Sequence, residues 1–294
     1  MILSRSSAYP RENFIVSFVR AIGFFMFYYA VRTVIFNAAA IFFAIKHGDE
    51  NAAMNAYYEN ANMLSFVCGI IIIAAIILFF SCRQKSVSEN LYLGKPPVSV
   101  VILAFFAGLS LNFTTNFVMS FLPQKLLESY NDSASNAQQG SLLWYILVAV
   151  IMAPILEELI FRAMMVPRLS TSVGNVGAVV ISAAVFGIVH GHIVWSSYAF
   201  LLGILLGFAF VRTRSLAVSI AMHMGFNLVS LLSYINTESL NTLGTFIFSA
   251  MFTIVSIASI PVSAMLVTIF VMKTKDTADK KPIGLGKIHI EGDA

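Results

Sequence analysis

Long apolar runs are the feature that most constrains how this chain can fold. A helix that crosses a bilayer needs about 20 apolar residues, and eight segments of the chain approach or exceed that length. They are residues 14–45, 61–81, 98–122, 142–166, 174–193, 195–211, 214–234 and 243–272. Helices satisfy all their backbone hydrogen bonds internally, as lipid requires. The sequence therefore predicts an all-α fold, a polytopic membrane helical bundle with about eight transmembrane helices.

Composition agrees with a membrane protein and excludes the soluble classes. The chain is 59% hydrophobic and 11% charged, whereas soluble domains have about 45–50% apolar and about 25% charged residues. The net charge of +4 does not indicate nucleic acid, because the basic residues lie at the ends of the predicted helices. Cys68 and Cys82 are separated by about 21 Å of helix rise, too far for a disulfide. The expected surroundings are a lipid bilayer, with no nucleic-acid partner.

The distribution of basic residues predicts the orientation in the membrane. With the N-terminus placed in the cytoplasm, 13 lysines and arginines fall on the inner side and only Lys46 and Lys125 on the outer side. This is a strong positive-inside bias. We therefore expect both termini in the cytoplasm and a location in the plasma membrane. The first apolar run is too long for a signal peptide, and we expect it to stay as an anchor.

No linker or repeat divides the chain, so the helices themselves define its regions. Residues 1–139 are predicted to form N-terminal transmembrane helices, and residues 140–235 the core helices. Residues 236–272 are predicted to form the last transmembrane helix, and residues 273–294 a polar cytoplasmic tail.

Three ionisable residues interrupt the apolar segment "APILEELIFR". Each costs about 2.5–3.5 kcal/mol in a membrane span and persists where it faces a bundle interior or a water-filled cavity. Glu158 and Arg162 are four residues apart in the favourable order for a helix ion pair, which by itself would only stabilise the helix. Glu157 has no such partner in its own helix, and an unpaired carboxylate suits a general base. Pro154 is expected to free the Val150 carbonyl and kink the helix.

Two later segments carry histidines at helical spacing. Phe186 and His190 are four residues apart, which is weak evidence alone. His223 and Asn227 share one helix face by the same spacing. This pair is suited to stabilising an oxyanion, to binding a metal, or to holding two helices together by hydrogen bonds, and the spacing does not choose among these. His192 matches no motif and is expected at a helix end near water.

The three patterns in order, EExxxR, FxxxH and HxxxN, resemble the CAAX protease and bacteriocin-processing (CPBP or ABI) family of intramembrane proteases. This family is related to the Ras-converting CAAX endoprotease. The resemblance covers about residues 140–235. It implies an intramembrane endopeptidase that cleaves a membrane-associated peptide or a lipid-modified protein. By the same resemblance, Glu158 and Arg162 would orient the first motif.

The resemblance also implies a role for each remaining motif residue. Glu157 would activate the attacking water together with His190. His223 and Asn227 would stabilise the oxyanion of the tetrahedral intermediate. These roles agree with the residue types, because hydrolysis by water needs a base and oxyanion donors.

Metal dependence stays open at this stage. The family is often called metalloprotease, yet the chain has no HExxH pattern that would indicate zinc. Glu157, His190, His223 and Asn227 are the candidate ligands for a Zn ion, and the same residues could run a metal-free glutamate mechanism.

Two other functions compete with proteolysis. One is a non-catalytic membrane regulator that binds a sensor kinase or another membrane protein partner. The other is a proton-coupled transporter, but the inverted repeats or paired broken helices typical of transporters are not visible in the sequence.

Overall fold

The chain folds into a bundle of helices in a computed structural model that describes residues 13–82, 86–234 and 242–275. Before the core region lie five helices: α1 (Phe14–His47), α2 (Glu50–Ser81), α3 (Val87–Asn90), α4 (Val98–Met119) and α5 (Gln124–Ala137). The later helices are α6 (Leu142–Ile146), α7 (Ala153–Glu158), α8 (Val166–Ile188), α9 (Ile193–Thr213), α10 (Leu216–Leu228) and α11 (Thr242–Lys273). A 3₁₀ turn at Val229–Tyr234 follows α10. The described ranges contain no strand.

The predicted all-α polytopic bundle is confirmed. Within the described residues, six helices are long and apolar enough to cross a membrane. One of them, Leu142–Ile188, contains two predicted segments separated at Gly174, where φ is 74° and ψ is 171°. A shorter apolar helix, Leu216–Leu232, covers another predicted segment. The protein is therefore an integral, multi-pass membrane protein. The predicted tail from residue 276 onward lies outside the described residues.

The helix that carries the two glutamates is irregular on both sides of them. π-Helical turns at Leu147–Met152 and Leu159–Met165 flank α7. Each turn is followed by a proline in the first turn of the next α-helix, Pro154 in α7 and Pro167 in α8. A π-turn accommodates a residue that cannot donate a backbone hydrogen bond, and such turns are frequent at functional sites. The sequence predicted a kink here but not the π-turns.

The π register also corrects which carbonyl Pro154 leaves free. The backbone N–H of Ala153 bonds to the Val148 carbonyl, five residues earlier. In that register the donor for Ala149 would be residue 154, which is proline and has no N–H. The carbonyl without a backbone donor in this register is therefore that of Ala149, whereas the α-helical spacing predicted that of Val150.

Two glycines let α4 and α10 pack with their backbones in close contact. A Cβ atom at Gly108 would lie 1.8 Å from the Met222 carbonyl oxygen, and one at Gly225 would lie 2.0 Å from the Phe105 carbonyl oxygen. Small residues permit this approach between membrane helices. The contact fixes the position of α10, the helix that carries the third motif.

The outer helices pack around this core through both apolar and polar contacts. Phe25 of α1 lies with its ring centroid 5.9 Å from that of Phe161. On the opposite side, the Ser110 hydroxyl of α4 lies 2.8 Å from the Ser263 hydroxyl of α11. Cys68 is buried and Cys82 is exposed, and both are free thiols, as the sequence predicted.

Candidate active site

Glu158 and Arg162 form a fully buried ion pair. One carboxylate oxygen of Glu158 lies 3.2 Å from Nη1 of Arg162, and their side chains are 0% and 1% exposed. The ion pair that the spacing of four residues predicted is therefore present. The second terminal nitrogen of Arg162 donates to the backbone carbonyl of Gly203 on α9 at 3.2 Å. The pair therefore joins the first-motif helix to a neighbouring span, which the sequence did not indicate.

His223 lies between the two glutamates. Its Nδ1 is 3.1 Å from the Glu158 carboxylate, and its Nε2 is 3.7 Å from the Glu157 carboxylate. The first distance is a hydrogen bond, whereas the second is too long for one. Glu158 is fully buried, but the Glu157 side chain is 30% exposed. One imidazole therefore connects a buried, paired carboxylate to an accessible one.

Phe186 is the common neighbour of all three motifs. Its ring centroid lies 4.8 Å from that of His190, 5.8 Å from that of His223 and 5.2 Å from that of Phe161. The Arg162 guanidinium lies over the same ring, 4.7 Å from its centroid. A buried ring in these contacts fixes the positions of both imidazoles. The spacing of Phe186 and His190 was weak evidence in the sequence, and these ring contacts give a physical reason for a phenylalanine at this position.

His190 lies just after the last residue of α8, and one of its ring nitrogens is hydrogen-bonded to the backbone. Its Nδ1 lies 2.7 Å from the Phe186 carbonyl oxygen. A carbonyl only accepts hydrogen bonds, so Nδ1 carries the proton and Nε2 remains as an acceptor in the neutral ring. The ring also contacts Trp195, with centroids 5.7 Å apart. Gly191 follows at φ 75°, a conformation that glycine adopts readily and that turns the chain into α9.

Asn227 supplies the donor that Pro154 lacks. Its side-chain amide donates to the Ala149 carbonyl at 2.8 Å. This is the carbonyl left without a backbone partner in the π-turn. Because an amide nitrogen carries two hydrogens, the second N–H of Asn227 is not used by this bond. The third motif is therefore anchored to the break before the first motif.

His192 lies apart from these contacts, as its position outside the motifs suggested. Its Nε2 is 3.1 Å from the Ser129 hydroxyl of α5, and its ring lies 6.1 Å from that of Tyr130. Tyr130 in turn packs against Trp195, with ring centroids 6.4 Å apart. Burial raises the pKa of the Tyr130 hydroxyl. His192 thus holds α5 against the start of α9.

The candidate metal ligands do not converge on one point. The two nitrogens of His223 face different glutamates, and Nδ1 of His190 faces a carbonyl. The Asn227 amide donates to the Ala149 carbonyl. Within the described parts of the chain, no three His, Cys, Asp or Glu side chains are grouped as a metal site. The arrangement does not fit a zinc ligand set.

One family comparison matches the segment that forms this site. Residues 139–229 match the family described as type II CAAX prenyl endopeptidase Rce1-like. Residues 139–229 are similar to this family and are named the Rce1-like segment for that similarity. No curated protein and no solved structure gave a match to the chain. The Rce1-like segment contains all seven motif residues. The match supports the resemblance drawn from the motifs and a CAAX-type intramembrane endopeptidase activity in general.

Proposed function

We propose that this protein hydrolyses a peptide bond in a membrane-associated peptide or lipid-modified protein, with a prenylated protein that ends in a CAAX sequence as the substrate class. The position of His223 between a buried and an accessible carboxylate is the observation that carries the proposal. Glu157 is then available as a base and His223 as a donor, side by side within the Rce1-like segment.

Glu157 is the proposed general base. Its carboxylate is partly exposed and makes no hydrogen bond to His223 at 3.7 Å, so it is free to accept a proton from water. His190 assists, because its Nε2 is available as a second acceptor once Nδ1 is bonded to Phe186. The water oxygen then bonds to the substrate carbonyl carbon while its proton passes to Glu157.

His223 and Asn227 are the proposed donors to the oxyanion that forms in this step. Glu158 accepts a hydrogen bond from Nδ1 of His223. In the form of the ring that carries a proton on each nitrogen, Nε2–H is a donor to the site. The remaining amide hydrogen of Asn227 lies one helical turn away on the same face. Donors held in fixed positions stabilise the developing negative charge without reorganisation.

Collapse of the tetrahedral intermediate completes the proposed reaction. The carbon–nitrogen bond breaks, and the proton held by Glu157 passes to the leaving amine. The products are one peptide with a new carboxylate and one with a new amino group. Glu157 returns to its ionised state, and no cofactor is consumed.

The direct test uses the purified protein in detergent and an S-prenylated peptide that ends in a CAAX sequence. We expect Glu157→Gln to abolish cleavage and Glu128→Gln, an exposed glutamate on α5, to leave it unchanged. A chelator should leave the wild-type rate unchanged. Cleavage by the Glu157→Gln variant at the wild-type rate would overturn the base assignment. Loss of activity with the chelator, restored by zinc, would overturn the metal-free reaction.

A second experiment separates proteolysis from the regulator and transporter alternatives. Peptides from membranes of cells with the native chain are compared with those from cells with Glu157→Gln. A protease predicts peptides that are present only with the native chain and that share a cleavage position. Identical peptide profiles would contradict the proposed activity in those cells.

A further inference from the structure

A cleft between α1 and α2 contains an arginine and lies outside the Rce1-like segment. Its volume is about 320 Å³, and Tyr29, Arg32, Thr33, Asn37 and Tyr57 are among the residues that line it. Arg32 is the one ionisable group with a permanent charge among the residues that line this cleft. An arginine in an apolar helix is costly and marks a functional site unless its charge is neutralised.

The contacts of Arg32 leave its charge without a carboxylate partner. Its Nη1 lies 3.5 Å from the Ser65 hydroxyl, and its guanidinium lies 4.3 Å from the centroid of the Phe36 ring. No carboxylate in the described ranges lies within ion-pair distance of it. The guanidinium therefore retains capacity to bind an anion.

α1 packs against the helix of the first motif close to this cleft. Phe25 lies seven residues before Arg32 on α1, which is about 10.5 Å along the axis. Its ring contacts that of Phe161, one helical turn after Glu157, with centroids 5.9 Å apart. An extended peptide covers about 3.3 Å per residue. A few residues are thus enough to link a scissile bond beside Glu157 to a group held in the cleft.

We propose that the cleft binds the C-terminal carboxylate of the substrate through Arg32. The inference rests on the proposed endopeptidase function and specifies which end of the peptide is recognised. A guanidinium offers two parallel N–H groups that match the two oxygens of a carboxylate. The hydroxyls of Tyr29, Thr33 and Tyr57 line the same cleft and provide additional donors. The phosphate of a lipid headgroup shares this anionic chemistry and is the other source of such a ligand.

The test compares one S-prenylated CAAX peptide with a free C-terminal carboxylate and the same peptide with a C-terminal amide. Binding to the Glu157→Gln protein is measured by fluorescence anisotropy, so the result does not depend on cleavage. We expect the acid to bind about tenfold to a hundredfold more tightly than the amide, the range for hydrogen bonds to a charged group. Arg32→Met should remove this preference, and Arg20→Met, on the same helix, should keep it.

Cleavage by the native protein then separates the two proposals. If the acid is preferred in binding but neither peptide is cleaved, the carboxylate site stands and the proposed reaction with this substrate fails. If both peptides are cleaved and bound equally, the reaction stands and the carboxylate site fails. The carboxylate site also fails if Arg32→Met weakens the binding of the acid and the amide peptide equally. A last outcome would assign the cleft to a lipid headgroup instead. In vesicles, the cleavage rate would then depend on anionic lipid in the native protein but not in Arg32→Met, and the acid and amide peptides would be cleaved at equal rates.

Discussion

The side-chain amide of Asn227 lies 2.8 Å from the carbonyl oxygen of Ala149, five residues before Pro154. In the π register of this turn, residue 154 would be the backbone donor to that carbonyl, and proline cannot donate. A residue of the third motif therefore completes the backbone hydrogen bonding of the helix that carries the first. This contact gives Asn227 a structural role beside its proposed role in oxyanion stabilisation.

The first prediction uses this contact as a double-mutant cycle. Asn227→Ala should lower the free energy of unfolding by about 1–3 kcal/mol, because it leaves the Ala149 carbonyl unsatisfied. In a Pro154→Ala background the same change should cost less, because an alanine has the backbone N–H that proline lacks and can donate to the helix. Thermal denaturation in detergent measures both values. Equal losses in the two backgrounds would show that Asn227 does not substitute for the missing backbone donor.

The second prediction concerns the buried pair of Glu158 and Arg162. Each of Glu158→Gln and Arg162→Met should destabilise the protein by about 3–5 kcal/mol, because each leaves one charge buried without its partner. The double variant should recover part of this stability, because no uncompensated charge remains. It should not recover activity, since His223 would lose the carboxylate that holds its Nδ1. Additive losses of melting temperature would contradict the coupling, and Glu157→Gln serves as the control that should leave stability unchanged.

The third prediction contrasts two neighbouring histidines. His190→Ala should slow cleavage by at least about tenfold, in keeping with the loss of an acid–base group. His192→Ala should change the rate little, because its contacts are with Ser129 and Tyr130 of α5. The rate constant on one substrate, at saturating concentration, is the measurement. A loss at His192 equal to that at His190 would mean that the second motif is assigned to the wrong histidine.

The fourth prediction concerns the contact between α4 and α10. Gly108→Ala places a methyl group where only 1.8 Å separates the Cβ position from the Met222 carbonyl oxygen. The helices must separate, which should displace His223 and lower both melting temperature and activity. Gly23→Ala is the matched control, because a Cβ at Gly23 meets no atom within 4 Å. If Gly108→Ala behaves like Gly23→Ala, the close approach of the two helices is wrong.

The fifth prediction tests the orientation expected from the basic residues. Cys82 is exposed just after α2, whereas Cys68 is buried. With both termini in the cytoplasm, the end of α2 also lies on the cytoplasmic side. A membrane-impermeant maleimide should therefore label Cys82 in inside-out vesicles and not in intact cells, with Cys82→Ser as the unlabelled control. Labelling in intact cells would reverse the predicted orientation.

The sequence by itself determined the class of fold and named the candidate residues of the site. Long apolar runs can satisfy their backbone groups in lipid only as helices or closed barrels. The predicted segments lie largely in helical parts of the structure, although 142–166 is divided by π-turns and 214–234 ends in a 3₁₀ turn. The spacing of four residues between Glu158 and Arg162 predicted a contact, because residues so spaced share a helix face. The three motifs named seven residues, six of them candidate catalytic residues, and all seven lie in the Rce1-like segment.

Only the tertiary structure decided how these residues face one another. Helical periodicity places a side chain on a face of its own helix, but it does not say which helix lies opposite. The bond from His223 to Glu158, the anchoring of Asn227 at Ala149 and the central position of Phe186 all join separate spans. In the π-turn at Leu147–Met152, the donor missing at Pro154 is likewise supplied by a neighbouring helix, through Asn227 of α10. These contacts arise from the packing of α10 against α4, which brings its histidine beside both glutamates.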